Sequence, residues 1–157
     1  MKIILGLFII LLSAQASKAV DRELPVNITS ERMEVVQTEN KAFFEGDVKV
    51  TYGAATMGSN TLEVLYSGEN EQGDVKQVTA LGGVIIVHGE STATGDKAVF
   101  TPQTSKVLVT GNVVMSKEDN VLKGESLTYD LETGDMNLNN NEGDGRIKAI
   151  FTIKGKK

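Results

Sequence analysis

Few residues in this sequence stand in arrangements that support catalysis. One histidine, His88, precedes Gly89 at what reads as a surface turn, and there is no cysteine. That excludes the common zinc sets, which draw on several His and Cys ligands. Acidic residues stand near one another at Glu118 and Asp119, at Asp130 and Glu132, and at Glu142 and Asp144. Two carboxylates flanking a bond are the machinery of glycoside hydrolysis. The first and last of these sets lie in polar stretches, where acids are ordinarily solvated, and Asp130 and Glu132 flank an inward Leu131 and so point outward. Ser and Thr abound, but no G-x-S-x-G elbow or S-x-x-K motif occurs. The Gly-rich units lack G-K-[ST] and a following helix, so they are not phosphate loops. No catalytic residue, metal, cofactor or nucleotide site is expected.

What remains is apolar surface and the strands that carry it. The chain has 157 residues with a net charge of −5. It opens with Lys2, runs apolar from Ile3 to Leu12, and continues with the small residues Ala14, Ala16 and Ala19. This is the order of a secretory signal over residues 1–19, with cleavage after Ala16 or Ala19. The run is well below the roughly 20 residues of a membrane span, although an uncleaved anchor is the alternative. Without Lys2 and Lys18 the basic count falls from 16 to 14 against 21 acids, a net charge of −7. Such a chain does not suit a polyanion, so no nucleic acid is expected as a partner. An exported domain without disulfides must be held by its core and its strand ladders. Plentiful Gly with Val, Ile and Thr is a β composition.

Four segments repeat one phrase. They start at Ser30, Ser59, Gly95 and Gly124, with separations of 29, 36 and 29 residues. Each reads as two alternating strands around a polar turn such as QTEN, PQTS or ETGD. Gly46, Gly83 and Gly111 interrupt the second strand, where a bulge would let it curl. Copy two carries a longer turn, SGENEQGD, and copy four has Asn140 in place of the glycine. No helical period follows the first segment. A hairpin that cannot bury its own face must stack on its neighbours. The expected fold is all-β: a twisted open jelly roll of repeated antiparallel hairpins, in one domain over residues 20–157. Its repeat core spans 25–140 and an edge strand spans 146–155. By parity the inward set includes Val26, Ile28, Met33, Val35, Phe44, Val48, Val50, Leu62, Val64, Tyr66, Leu81, Ile85, Val87, Phe100, Val109, Met115, Leu127 and Tyr129. The first and last strands, around Val26 and Ile28 and around Ile147, Ala149, Ile150 and Phe151, lie outside the repeat and are available for pairing end to end.

The stretches PVNITSERMEVV, FEGDVKV, VTGNVVM and LKGESLTYD, with three Gly-[DGN]-Val units, resemble the LptA/OstA family of lipopolysaccharide transport proteins. The resemblance covers residues 25–140 and implies a periplasmic protein without catalytic residues. It implies that acyl chains of lipopolysaccharide lie in the apolar interior. It also implies end-to-end joining, to copies of itself and to jelly-roll domains of inner-membrane and outer-membrane partners. It favours Val26, Ile28, Val87, Phe100 and Pro102 as lipid contacts, and the parity set adds Val35, Val50, Val64, Met115 and Tyr129. Three readings stand side by side: a lipid-carrying bridge, a structural β-module or inner-membrane partner of the same fold, and an envelope enzyme acting on sugars. The missing catalytic constellation argues against the third.

Overall fold

Alternation of apolar and polar residues over stretches of a dozen residues, broken by turn signals, can bury one face only as a sheet. The computed structural model describes residues 25–68, 74–140 and 145–152. Its strands are β1 (Val26–Thr29), β2 (Arg32–Val36), β3 (Lys41–Tyr52), β4 (Ala55–Tyr66), β5 (Val75–His88), β6 (Ser91–Thr101), β7 (Lys106–Lys117), β8 (Asn120–Asp130), β9 (Met136–Asn139) and β10 (Lys148–Ile150). All pairing is antiparallel, in the order β1-β3-β4-β5-β6-β7-β8-β10, with β2 also on β3 and β9 also on β8. The four sequence copies are the hairpins β2-β3, β4-β5, β6-β7 and β8-β9. The signal segment 1–19, the tip of the SGENEQGD turn and the chain beyond Thr152 lie outside the described residues, as do Glu142 and Asp144.

The repeat is visible in the turns. Gln37–Glu39 and Pro102–Thr104 each form one 3-10 turn, closed by a left-handed residue, Asn40 (φ 53°) or Ser105 (φ 52°). The carbonyls of Asn40 and Ser105 then accept hydrogen bonds from the N–H groups of Tyr66 (3.0 Å) and Leu131 (2.9 Å). The last long turn is held differently: the Asp130 carboxylate accepts from the N–H groups of Glu132 and Thr133 at 2.9 and 3.0 Å. The Thr133 and Glu132 bonds hold the Asp130 carboxyl below its ordinary pKa.

Three bulges bend the sheet. Register shifts fall between Glu45 and Val48, Leu81 and Val84, and Thr110 and Val113. Each contains a glycine at φ near +80° followed by a second left-handed residue: Gly46-Asp47, Gly82-Gly83 and Gly111-Asn112. The valine after each bulge, Val48, Val84 or Val113, is 1% exposed. It faces a small residue on the next strand, Ser59, Gly95 or Gly124. Small size is required there, because a Cβ on Gly95 would come within 2.5 Å of Val109 Cγ1. The repeat glycine of copy two is therefore Gly82, not Gly83, and its distance to the small partner becomes 13 residues in all three units.

Along this line of bulges the sheet folds over itself. One flank carries β2, β9 and the adjoining strand halves, and the other carries β1, β10 and the remaining halves, since β1 pairs Lys49–Tyr52 while β2 pairs Lys41–Glu45. The core lies between the flanks, with Leu62, Leu127, Val48, Val84, Val109 and Val113 all but inaccessible. Each such side chain contributes about 1.5–3 kcal/mol by burial. The ion pairs are on the outside, as with Arg32 and Glu45 at 3.1 Å, where such a pair is worth about 0–1 kcal/mol. Burial, not charge pairing, holds the fold.

Candidate functional site

The inner face between the flanks carries apolar side chains from end to end. Ile28, Val35, Phe44, Val50, Met57, Ile86, Ala93, Phe100, Leu122, Leu131 and Leu138 pack against its core. Val64, Tyr66, Met115 and Leu127 are buried within it. Val26 pairs with Tyr52, in line with Ile28 and Val50, so it is inward but 48% exposed on the terminal strand. Met33, opposite Phe44, has the same position on β2.

Leu81, Ile85 and Val87 are corrections to the expected inward set. They lie on the outer face, 47%, 49% and 36% exposed. The residues facing in on β5 are Val78, Ala80, Val84 and Ile86. The run Val84–Val87 is apolar at both parities, so alternation alone carries no information there. The register set by Ile86 opposite Met57 and Ala93 decides it. The common offset of 13 from Gly82 to Gly95 was the available signal.

Two aromatic contacts close the long side opposite the fold line. Tyr52, at the outer end of one flank, meets Phe100 at the end of the other, with ring centroids 6.3 Å apart. His88 meets Tyr129 in the same way, edge to face at 6.3 Å, with His88 Nδ1 3.3 Å from the Tyr129 hydroxyl. His88 is thus part of this lip and not a surface turn residue, and Tyr52 joins it unforeseen. Pro102 starts the 3-10 turn next to Phe100 on the same lip. The interior is narrower than a trough empty from mouth to mouth, because the protein's own side chains fill the fold line.

The two ends differ from the middle. At the C-terminal end Met115, Leu122, Met136 and Phe151 line an open cavity of about 160 Å³, rimmed by Lys117 and Asn120. Met136 and Phe151 are 43% and 65% exposed. The edge strand β10 is short, Lys148–Ile150, and pairs with β8 through Ala149 opposite Leu122 and Ile150 opposite Val121. Ile147 lies just before it and Phe151 just after. Among the described residues β1 and β10 each pair on one side only.

An open antiparallel sheet with a repeated Gly-x-Val bulge and an apolar inner face bears comparison with known proteins. The family described as LptA/(LptD N-terminal domain) LPS transport protein matches residues 27–135. This chain belongs to that family. The family's role is transport, which is not an enzymatic one. Among curated relatives, an uncharacterised protein of Rhizobium meliloti (strain 1021) is 28% identical over 120 residues, 73% of this chain. The lipopolysaccharide export system protein LptH of Pseudomonas aeruginosa is also 28% identical, over 122 residues and 71% of this chain. The matches span 64% and 66% of those relatives' own lengths. The crystal structure of P. aeruginosa LptH, described as the LptA-homologous periplasmic component of the lipopolysaccharide transport device, superposes with a TM-score of 0.72 at 20% identity. It covers 85% of this chain and 99% of that one. The all-β jelly-roll fold read from the repeat is thus the fold of this family.

Proposed function

We propose that this chain is a periplasmic lipopolysaccharide-binding transport protein, exported by a signal in residues 1–19, that shelters acyl chains between its flanks. The observation that carries the reading is the apolar inner face closed lengthwise by aromatic contacts. Two such pairs are worth about 1–3 kcal/mol together. Each methylene withdrawn from water contributes about 0.8 kcal/mol, so a few carbons of one acyl chain offset the parting of Tyr52 from Phe100 and of His88 from Tyr129. Val26, Ile28, Val35, Val50, Val64, Phe100, Pro102, Met115 and Tyr129 are the lipid contacts on this reading. Val87 drops out because it faces outward.

The exposed apolar ends and half-paired β1 and β10 support end-to-end docking. Val26 and Ile28 of one unit would meet Ile147, Ala149, Ile150 and Phe151 of the next. The partners are a second copy or a related jelly roll in an inner-membrane or outer-membrane complex, together forming a bridge. A second reading, a structural β-module or inner-membrane partner of this fold without lipid cargo, draws on the filled fold line. A photo-crosslinking residue at Phe100 in living cells separates the two. Lipopolysaccharide adducts are expected, and adducts to protein alone would favour the second reading. Phe100→Asp should lower lipid capture about tenfold or more, because a buried unpaired carboxylate is strongly disfavoured, while leaving end-to-end docking in place.

A further inference from the structure

Tyr66 closes β4 on the inner face, two residues beyond Val64. Its side chain is 8% exposed. Its hydroxyl is buried and has no hydrogen-bond partner, alone in this among the described side chains. Buried hydroxyls are nearly always paired, and an unpaired one is a cost that phenylalanine would avoid. The fold does not require the oxygen. Tyr66 is the eighth residue of its copy, and copies three and four place Pro102 and Leu131 at that position. Leu131 donates the same backbone hydrogen bond there, to the Ser105 carbonyl as Tyr66 does to that of Asn40, and packs on the core without any side-chain polar group.

The location points to cargo. Val64, Val78 and Phe100 form one inward row across three strands, and Tyr66 lies in the next row outward. Phe100 is the ring clasped by Tyr52. A chain that parts this pair passes Tyr66 at the outer edge of the lip, where the first carbons after a headgroup would lie. We propose that the Tyr66 hydroxyl is a selectivity device. It donates a hydrogen bond to an oxygen borne on the acyl chain near its head, a hydroxyl or ester oxygen, so that oxygenated chains are preferred to plain ones. This rests on the lipid-carrying reading above.

The test uses the whole exported chain and two probes of equal length, 3-hydroxytetradecanoic acid and tetradecanoic acid, in competition with a fluorescent fatty acid. The wild type should bind the hydroxy acid about fivefold more tightly, the worth of one such hydrogen bond. Tyr66→Phe should abolish that preference, keep the affinity for the plain acid, and melt no lower than the wild type. If Tyr66→Phe fails to fold, Tyr66→Leu, the residue type found in copy four, replaces it. An equal preference in wild type and variant overturns the inference and leaves the lipid reading standing. Failure of the wild type to bind either acid overturns the lipid reading and the inference with it.

Discussion

Gly95 and Gly83 are both glycines of the bulge region, and they should respond oppositely to substitution. At Gly95 a Cβ would meet Val109, itself buried, and the carbonyls of Thr110 and Gly111 at 3.3 Å. Gly95→Ala should therefore destabilise the protein by about 1–3 kcal/mol, as overpacking does. Gly83 is left-handed at φ +56°, and a Cβ there would have no atom within 4 Å. Asp47 and Asn112 occupy the equivalent sites at φ 40° and 49°. Gly83→Asn should stay within about 0.5 kcal/mol of the wild type. Denaturant midpoints of the two variants check both values. The same pair marks where the sequence could be read and where it misled. Gly-[DGN]-Val was legible as a unit. With two adjacent glycines, composition did not say which one bends the chain, and only the spacing to Gly95 did.

At the scale of the element, the four hairpins were legible because their polar turns and period-two patterns repeat. The face of β5 beyond its bulge was not, since Val84, Ile85, Ile86 and Val87 suit either side. The lip was invisible for another reason. Tyr52 and Phe100 lie 48 positions apart in the chain, and their contact exists only because the bulges fold the sheet over. The terminal strand is the element whose role is most open to direct assay. In an antiparallel strand, successive residues direct their N–H groups to opposite sides. Of Ala149 and Ile150, one donates into β8 and the other outward. Proline removes the donor at either position. One of Ala149→Pro and Ile150→Pro should lower the melting temperature. The other should weaken self-association, read by analytical ultracentrifugation, with the melting temperature held. Unchanged association in both would count against pairing through this edge.

For the whole molecule, the cysteine-free chain needs no disulfide because each long strand buries its inward side chains against two neighbours. The strand order follows the chain order except at the ends, so every hairpin pairs its backbone only with the hairpins beside it. Stability of such an array is close to a sum over units and their junctions. Removing residues 59–94, one whole copy, joins Gly58 to Gly95 at equivalent points of the repeat. The shortened chain should fold as a single cooperative unit with a smaller denaturant slope, in proportion to the surface it no longer buries. Loss of cooperative unfolding would show that copy two is indispensable.

That neighbour-only order makes the protein something like a ruler. Its cross-section is set by strand length and the place of the bulge, which repeat from hairpin to hairpin, and its length by how many hairpins are strung together, so span can be adjusted by duplication or loss of a copy without redesigning the bore. On the bridging role proposed above, a gap of a different width between two membranes would call for a change in copy number, in this chain or along a row of them, and not for a new fold.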